Sequence, residues 1–291
     1  MCDRDEIAEW NRNGKRDWSF NRRQFVAAAA LSGALSACAG TDASSDPIAE
    51  EMVSVTTPDG VMDAFFVRPT SGKHPAIITW PDIAGLRDAF KLMARRLAGQ
   101  GYAVLVANPY YRSIPAPQFA DFAEFLANNG FETVTPWRQQ LTADAVMRDA
   151  RDMVRWLDAQ PSVDPARGVG TNGYCMGGPF TIFTAAAVPD RVRAAASLHG
   201  AALVVPDSPQ SPDTMIRETQ AQYLFAIAQN DDQKDPEAKM TLRQAAESAG
   251  RSAEIEVYPA DHGWTVPDAP AYDKHAAERA WARMSRLFQT L

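Results

Sequence analysis

Two short alternating runs, MVSVTT (Met52 to Thr57) and MDAFFVRP (Met62 to Pro69), flank Pro58-Asp59-Gly60. Their β-branched and aromatic residues around a turn-forming triplet predict an antiparallel hairpin. Beyond Pro69 the rhythm changes. Six compact apolar runs follow: AIITW (Ala76 to Trp80), AVLVANP (Ala103 to Pro109), GVGTNGY (Gly168 to Tyr174), AAASLHG (Ala194 to Gly200), QYLFAIAQ (Gln222 to Gln229) and AEIEVYP (Ala253 to Pro259). Helical periodicity fills most of the gaps, notably Leu86 to Gln100, Leu141 to Gln160, Pro236 to Ala249 and Tyr272 to Leu291. Strands alternating with helices imply right-handed crossovers and a mostly parallel sheet covered on both faces. Ligands of such sheets bind beyond the carboxyl ends of the strands. One α/β domain over residues 51–291 satisfies the pattern, with one long departure at about 111–140. That segment carries Pro115, Pro117, Pro136 and several aromatic residues, with a short helix expected from Gln118 to Asn128, and reads as a lid or pocket wall.

Composition agrees with that frame. The 291 residues are 46% hydrophobic and 22% charged, which suits one large domain. With 29 Lys and Arg against 36 Asp and Glu, the net charge of −7 argues against nucleic acid as a partner. The three cysteines, Cys2, Cys38 and Cys175, make no disulfide framework. No internal repeat, phosphate loop or metal-type spacing of His and Cys is present, so neither cofactor nor metal is expected.

The first residues add an address. SFNRRQFVAAAALSGALSACAG, Ser19 to Gly40, opens on Arg22-Arg23 and continues as an Ala-rich, weakly apolar stretch. It is too short for a permanent span, which needs about 20 apolar residues. Residues 1–37 resemble a bacterial twin-arginine signal, and LSAC (Leu35 to Cys38) is similar to the lipobox at which lipoprotein signals are cut. The resemblance implies export, to a periplasmic or membrane-anchored site in a bacterium, with a lipid on Cys38 as the contact with the membrane. Residues 38–50 then read as a polar tether.

Candidate chemistry lies in GTNGYCMGGPF, Gly170 to Phe180, where an apolar run meets a helix-like segment. A strand-to-helix turn this sharp brings backbone close on both sides of its apex, which calls for glycine two positions before and after. Gly173 and Gly177 hold those places around Cys175. Such an elbow presents its side chain at the top of the sheet, aims a helix N-terminus at it, and leaves the Met176 N–H to donate to a developing oxyanion. A thiol suits the position because its free pKa of about 8.5 falls beside a histidine or a helix N-terminus. As an isolated residue a cysteine is more often a small buried hydrophobe, and the Gly-x-Cys-x-Gly frame is what reverses that reading.

A nucleophile needs a base and an acid to orient it, and the α/β-hydrolase order is nucleophile, acid, histidine. AQNDDQKD, Ala228 to Asp235, places Asp231 or Asp232 at one strand end, and YPADHGW, Tyr258 to Trp264, places His262 past the next. Singly, each would read as a turn or capping residue. His199 also ends a strand and is the rival base, although it precedes the acid. His74 and His275 read as structural.

Together these residues resemble the dienelactone hydrolase family of α/β-hydrolases over roughly Met52 to Leu291, through GYCMGG for the nucleophile, AQNDD for the acid and DHGW for the histidine. The resemblance implies a three-layer α/β-hydrolase fold. It also implies a cysteine-dependent hydrolase of ester or lactone bonds, acting on a small molecule through an acyl-enzyme and without cofactor. In that scheme Cys175 attacks, His262 shuttles the proton, Asp231 orients His262, and the N–H groups of Ile83 and Met176 hold the oxyanion. WPDIAGL, Trp80 to Leu86, is similar to the segment whose acidic residue meets the resting thiol, which implies that role for Asp82, a shorter side chain than the family's Glu. NPYYR, Asn108 to Arg112, implies Arg112 as the holder of a substrate carboxylate, and a second such arginine is replaced by Val266. Tyr174, Trp137, His199, Trp264 and Val266 are the other expected substrate positions. With Phe119, Phe122 and Phe125 as the wall, the expected substrate is larger or less polar than a small anionic dienelactone. Two further readings use the same chain: a broad carboxylesterase or thioesterase, and a surface lipoprotein that keeps the fold and only binds a ligand.

Overall fold

The structure, a computed structural model, describes residues 47–291. The signal and lipidation readings, with Cys38, lie outside the described residues, as does most of the tether. The hairpin forms as β1 (Ile48–Thr57) and β2 (Gly60–Pro69), paired from Ile48 opposite Pro69 to Thr57 opposite Gly60. β3 (Ala76–Trp80), β4 (Ala103–Ala107), β5 (Val169–Tyr174), β6 (Val192–Leu198), β7 (Gln222–Ala228) and β8 (Ala253–Tyr258) complete one sheet in the order β1-β2-β4-β3-β5-β6-β7-β8. β2 runs antiparallel to β4, and from β4 onward every neighbour is parallel. All residues of β3, β4 and β5 are buried, which is why these strands read as unbroken apolar runs.

Among the described residues, five long helices cover the sheet: α1 (Asp88–Ala98), α2 (Ala143–Asp158), α3 (Gly178–Ala187), α4 (Ala238–Ser248) and α5 (Lys274–Phe288). α1 buries Ala89, Phe90, Met93, Ala94, Leu97 and Ala98, two adjacent rows at four-residue spacing. Thr142 and Asp273 start α2 and α5 by accepting the N–H groups of Ala145 and Ala276. α1 and α5 pack with Phe65, Val104 and Tyr174 on one face; α2, α3 and α4 pack with Phe66, Ile78 and Cys175 on the other.

β3 has β4 on one side and β5 on the other, so the winding reverses there and opens a crevice beyond the carboxyl ends of β3 and β5. Over this end runs the long insertion. Its helix spans Phe122–Ala127, starting later than the Gln118 expected from the pattern, because the Asp121 side chain caps it through the Glu124 N–H. Two more helical turns, Gly130–Thr133 and Thr135–Arg138, follow. Phe119, Phe122 and Phe125 are buried, with the rings of Phe119 and Phe122 each packed on Phe125 at centroid distances of 5.2 Å and 5.1 Å.

Candidate active site

β5 ends at Tyr174, and Cys175 follows at φ 53 before a tight turn leads into α3. Left-handed backbone in a non-glycine residue costs on the order of 1–3 kcal/mol and persists only where its surroundings enforce it. They do so here. A Cβ on Gly173 would stand 1.9 Å from the Gly177 carbonyl oxygen, and one on Gly177 would stand 2.5 Å from that of Trp80. The elbow is therefore pressed against its own strand and the end of β3. The loop after β6 holds both backbone groups of Cys175: its N–H donates to His199 Nδ1 at 3.1 Å, and its carbonyl accepts from the Ala201 N–H at 3.0 Å.

His262 lies in the turn after β8, fully buried, with its N–H held by Asn230 Oδ1 at 2.9 Å. Its Nδ1 faces Asp231 Oδ2 at 2.5 Å. Asp232 points away and takes Lys239 Nζ at 2.6 and 2.8 Å, so of the two adjacent acids only Asp231 meets the histidine. Burial pulls the His262 pKa down, but the negative charge of Cys175 and hydrogen bonds with Asp231 and Cys175 outweigh it, raising it from 6.5 to about 10. A negative charge on Cys175 and a proton on His262 would favour each other in this arrangement.

Both ring nitrogens of His199 are engaged by the protein. Nδ1 accepts from Cys175, so the ring proton is on Nε2, which donates to Thr265 Oγ1 at 2.8 Å. Burial and the neighbouring His262 hold its pKa well below the ordinary value, so it stays neutral. Facing the backbone of Cys175 with Nδ1, it is neither the base nor a free substrate contact.

Asp82, expected at the thiol, has its carboxylate engaged by an arginine. Both of its oxygens accept from the fully buried Arg87, at 2.7 and 2.9 Å, and Oδ1 also takes the Ala84 N–H. Burial raises its pKa first, Arg87 opposes this, and the charges of Asp268 and Cys175 add to the rise. Arg87 spends the rest of its donors on Asp268, at 2.7 and 2.8 Å, and on the Gly85 carbonyl. Asp268 in turn accepts the Phe122 N–H. One guanidinium thus joins the loop after β3, the insertion and the loop that carries His262. Neither Arg87 nor Asp268 belongs to a motif; their only sequence signal is an arginine at the threshold of α1.

Ile83 and Met176 are both buried in the cluster that contains Cys175. The Tyr110 hydroxyl reaches both, with the Ile83 carbonyl at 2.7 Å and Met176 Sδ at 3.4 Å. Sequence reasoning passed over Tyr110, although it stands inside NPYYR.

Arg112 requires correction as a substrate anchor. Its guanidinium bonds the buried Asp149 at 2.9 and 2.7 Å and Asp59, in the hairpin turn, at 3.2 and 2.7 Å. These partners draw it away to staple β1 and β2 onto α2. Tyr174, Trp264 and Val266 are also interior, packed in the α1 and α5 layer; Tyr174 receives Asn172 Nδ2, and Trp264 stacks on Tyr258. Trp137 remains half-buried beside Tyr110, ring centroids 5.4 Å apart. Among the described residues no group of three His, Cys, Asp or Glu side chains is placed to hold a metal ion.

A mostly parallel eight-stranded sheet with helices on both faces, and a strand-to-helix elbow at its carboxyl edge, defines an α/β-hydrolase fold. Residues 62–291 match the Dienelactone hydrolase family, and the chain belongs to that family, as a hydrolase of ester or lactone bonds. A protein of Salmonella typhi provisionally named a carboxymethylenebutenolidase is 28% identical over 261 residues, covering 83% of this chain and 92% of its own. A provisionally named dienelactone hydrolase of Klebsiella pneumoniae superposes with a TM-score of 0.70 at 26% identity, over 84% of this chain and all (100%) of that one. The dienelactone hydrolase of Anabaena variabilis, at 18% identity and a TM-score of 0.55 over 84% of this chain and 99% of its own, shares the fold.

Proposed function

We propose that the protein hydrolyses uncharged carboxylic esters or lactones through a thioester on Cys175. The observation that carries this reading is the alignment of Cys175, His262 and Asp231, with His262 raised to about 10 by its neighbours. The thiolate attacks the carbonyl carbon, a C–S bond forms, and the carbonyl electron pair moves to oxygen, where the N–H groups of Ile83 and Met176 receive it. Collapse expels the alkoxide, which takes the His262 proton; water, deprotonated by His262, then cleaves the thioester. Arg112 and Arg87 have their donors committed to Asp59, Asp149, Asp82 and Asp268, and aromatic side chains share the cluster of Cys175, which favours an apolar acyl group. A neutral p-nitrophenyl butyrate should therefore exceed the anionic hemisuccinate in kcat/KM by about tenfold or more, since a buried carboxylate would lack a partner. Arg112→Ala should lower Tm and leave that ratio unchanged. Preference for the hemisuccinate, lost in Arg112→Ala, would overturn this substrate class.

Asp231→Asn should cost about 10²-fold in kcat, within the range for a positioned acid–base group. A thiol needs less help from its base than a serine hydroxyl does, so the loss stays below the extreme. Asp232→Asn, facing Lys239, should change kcat little. A reversed ranking in steady-state kinetics would exchange the two roles.

We also propose export: the twin arginines and Cys38 form a lipoprotein-type signal. Arg22→Lys with Arg23→Lys should leave precursor in the cytoplasm, and Cys38→Ala should abolish labelling by a radioactive fatty acid. Normal processing and labelling in both variants would refute it.

A further inference from the structure

The segment His199 to Ala201 touches the nucleophile more closely than any expectation from its sequence required. It follows β6, and its histidine is itself left-handed, at φ 40. From there one ring nitrogen takes the Cys175 N–H while the Ala201 N–H takes the Cys175 carbonyl, so the peptide groups on both sides of the strained residue end on this one loop. Contact is close because both chains lack side chains where they meet. A Cβ on Gly178 would lie 2.3 Å from Gly200 Cα, and one on Gly200 would lie 3.2 Å from Gly178 Cα.

The other ring nitrogen reaches Thr265, three residues beyond His262, at 2.8 Å. The His199 ring also packs edge-on against His262 with centroids 4.9 Å apart, and against Trp264 at 5.1 Å. Cys175 and His262 arrive from different strands, β5 and β8, with β6 and β7 between them. β5 and β8 do not pair with each other directly, so the loops beyond their ends need a bridge of their own, and one imidazole touches both.

We propose that His199 is a positioning residue that sets the Cys175 thiol in register with His262, holding the nucleophile's N–H on Nδ1 and the histidine loop, through Thr265, on Nε2. It touches neither substrate nor the transferred proton. The inference rests on the cysteine-based reading above. A neutral ring fits this role, because a second cation beside a protonated His262 would separate the pair.

The test compares His199→Leu, His199→Asn and Thr265→Val with the wild-type protein. Leucine removes both contacts. Asparagine keeps an acceptor near the place of Nδ1 and tolerates left-handed backbone, but cannot reach Thr265. Misplacing reacting groups by about 1 Å costs on the order of 10²-fold, so His199→Leu should lose about that much kcat with KM within about twofold. Asparagine should recover most of the loss, and Thr265→Val should fall between. The decisive readout is the rate of Cys175 alkylation by iodoacetamide against pH, which needs no ester. In His199→Leu the midpoint should move up toward the free-thiol value of about 8.5 as the thiolate–imidazolium pair loosens. A purely structural role would lower Tm in all three variants and leave that midpoint in place. Folded His199→Leu with wild-type kcat and an unshifted midpoint would overturn the proposal, as would an asparagine variant no better than leucine. If His199→Leu fails to fold, the asparagine and valine variants decide by the same midpoint. A wild-type protein that turns over no ester, yet shows the shift, would refute the functional reading and leave the positioning role intact.

Discussion

Cys175→Ala is expected to lower kcat by about 10⁴-fold or more, the scale on which loss of a covalent nucleophile acts, while the fold survives. The thiol is buried, and its deletion removes one atom, so the cavity cost stays near 1 kcal/mol. The backbone strain at φ 53 is unchanged, because alanine meets the same Cβ penalty. A thermal signature accompanies the kinetic one. A histidine whose pKa is raised on folding adds stability that is complete below 6.5 and is lost as the pH rises through about 10. Cys175 is the largest influence raising His262. With a thiolate there, the folded pair and the unfolded chain each hold one proton between 6.5 and the free-thiol value of about 8.5. Wild-type Tm should therefore stay level in that window and decline only from about 8.5 to about 10, a decline that should shrink in the alanine variant. Esterase assays on folded Cys175→Ala decide the first point; turnover near the wild-type rate would remove the cysteine from the mechanism.

Arg87→Leu is expected to lower Tm by about 10 °C. Removing one partner of a buried ionic group costs about 3–5 kcal/mol, and a domain of this size loses roughly 2–4 °C per kcal/mol. Here the residue left behind is Asp82, which keeps only the Ala84 N–H in a buried loop, while Asp268 keeps the Phe122 N–H. The loss should arise mainly from unpaired charge and not from shape. Adding Asp82→Asn and Asp268→Asn to Arg87→Leu should accordingly return much of the Tm. Differential scanning calorimetry provides the check: a single variant that melts with the wild type would show that the three charges are not coupled through Arg87.

What could be read from the chain, and what could not, follows from how each feature is encoded. Strand and helix alternation is local periodicity, and the elbow is a spacing rule, so Cys175 and the glycines around it stand out in the linear sequence. Choosing between Asp231 and Asp232 needed direction: adjacent residues on a short helix diverge by about 100°, and Lys239 captures the second. Arg112 illustrates the opposite case. Its position in NPYYR suggested the pocket, but its partners lie 53 residues before it and 37 after it, where no local pattern announces them. Arg87 meets Asp268 across 181 residues, and His199 meets Thr265 across 66. Long-range polar pairing is decided by packing, and the sequence motifs carry no trace of it.

The staple made by Arg112 also bears on how this protein could change its selectivity over evolutionary time. Freeing that side chain to bind an anion would strand Asp149, which is 1% exposed and shares the guanidinium with Asp59. A second arginine at position 266 would have to enter a site with no exposure at all. Either substitution alone would destabilise the chain before it improved recognition, so the route from this site to an anion-selective one crosses a fitness valley. Compensating changes at Asp59 and Asp149 would have to come first, and lineages that acquired them should be the ones in which position 112 is free to vary its role.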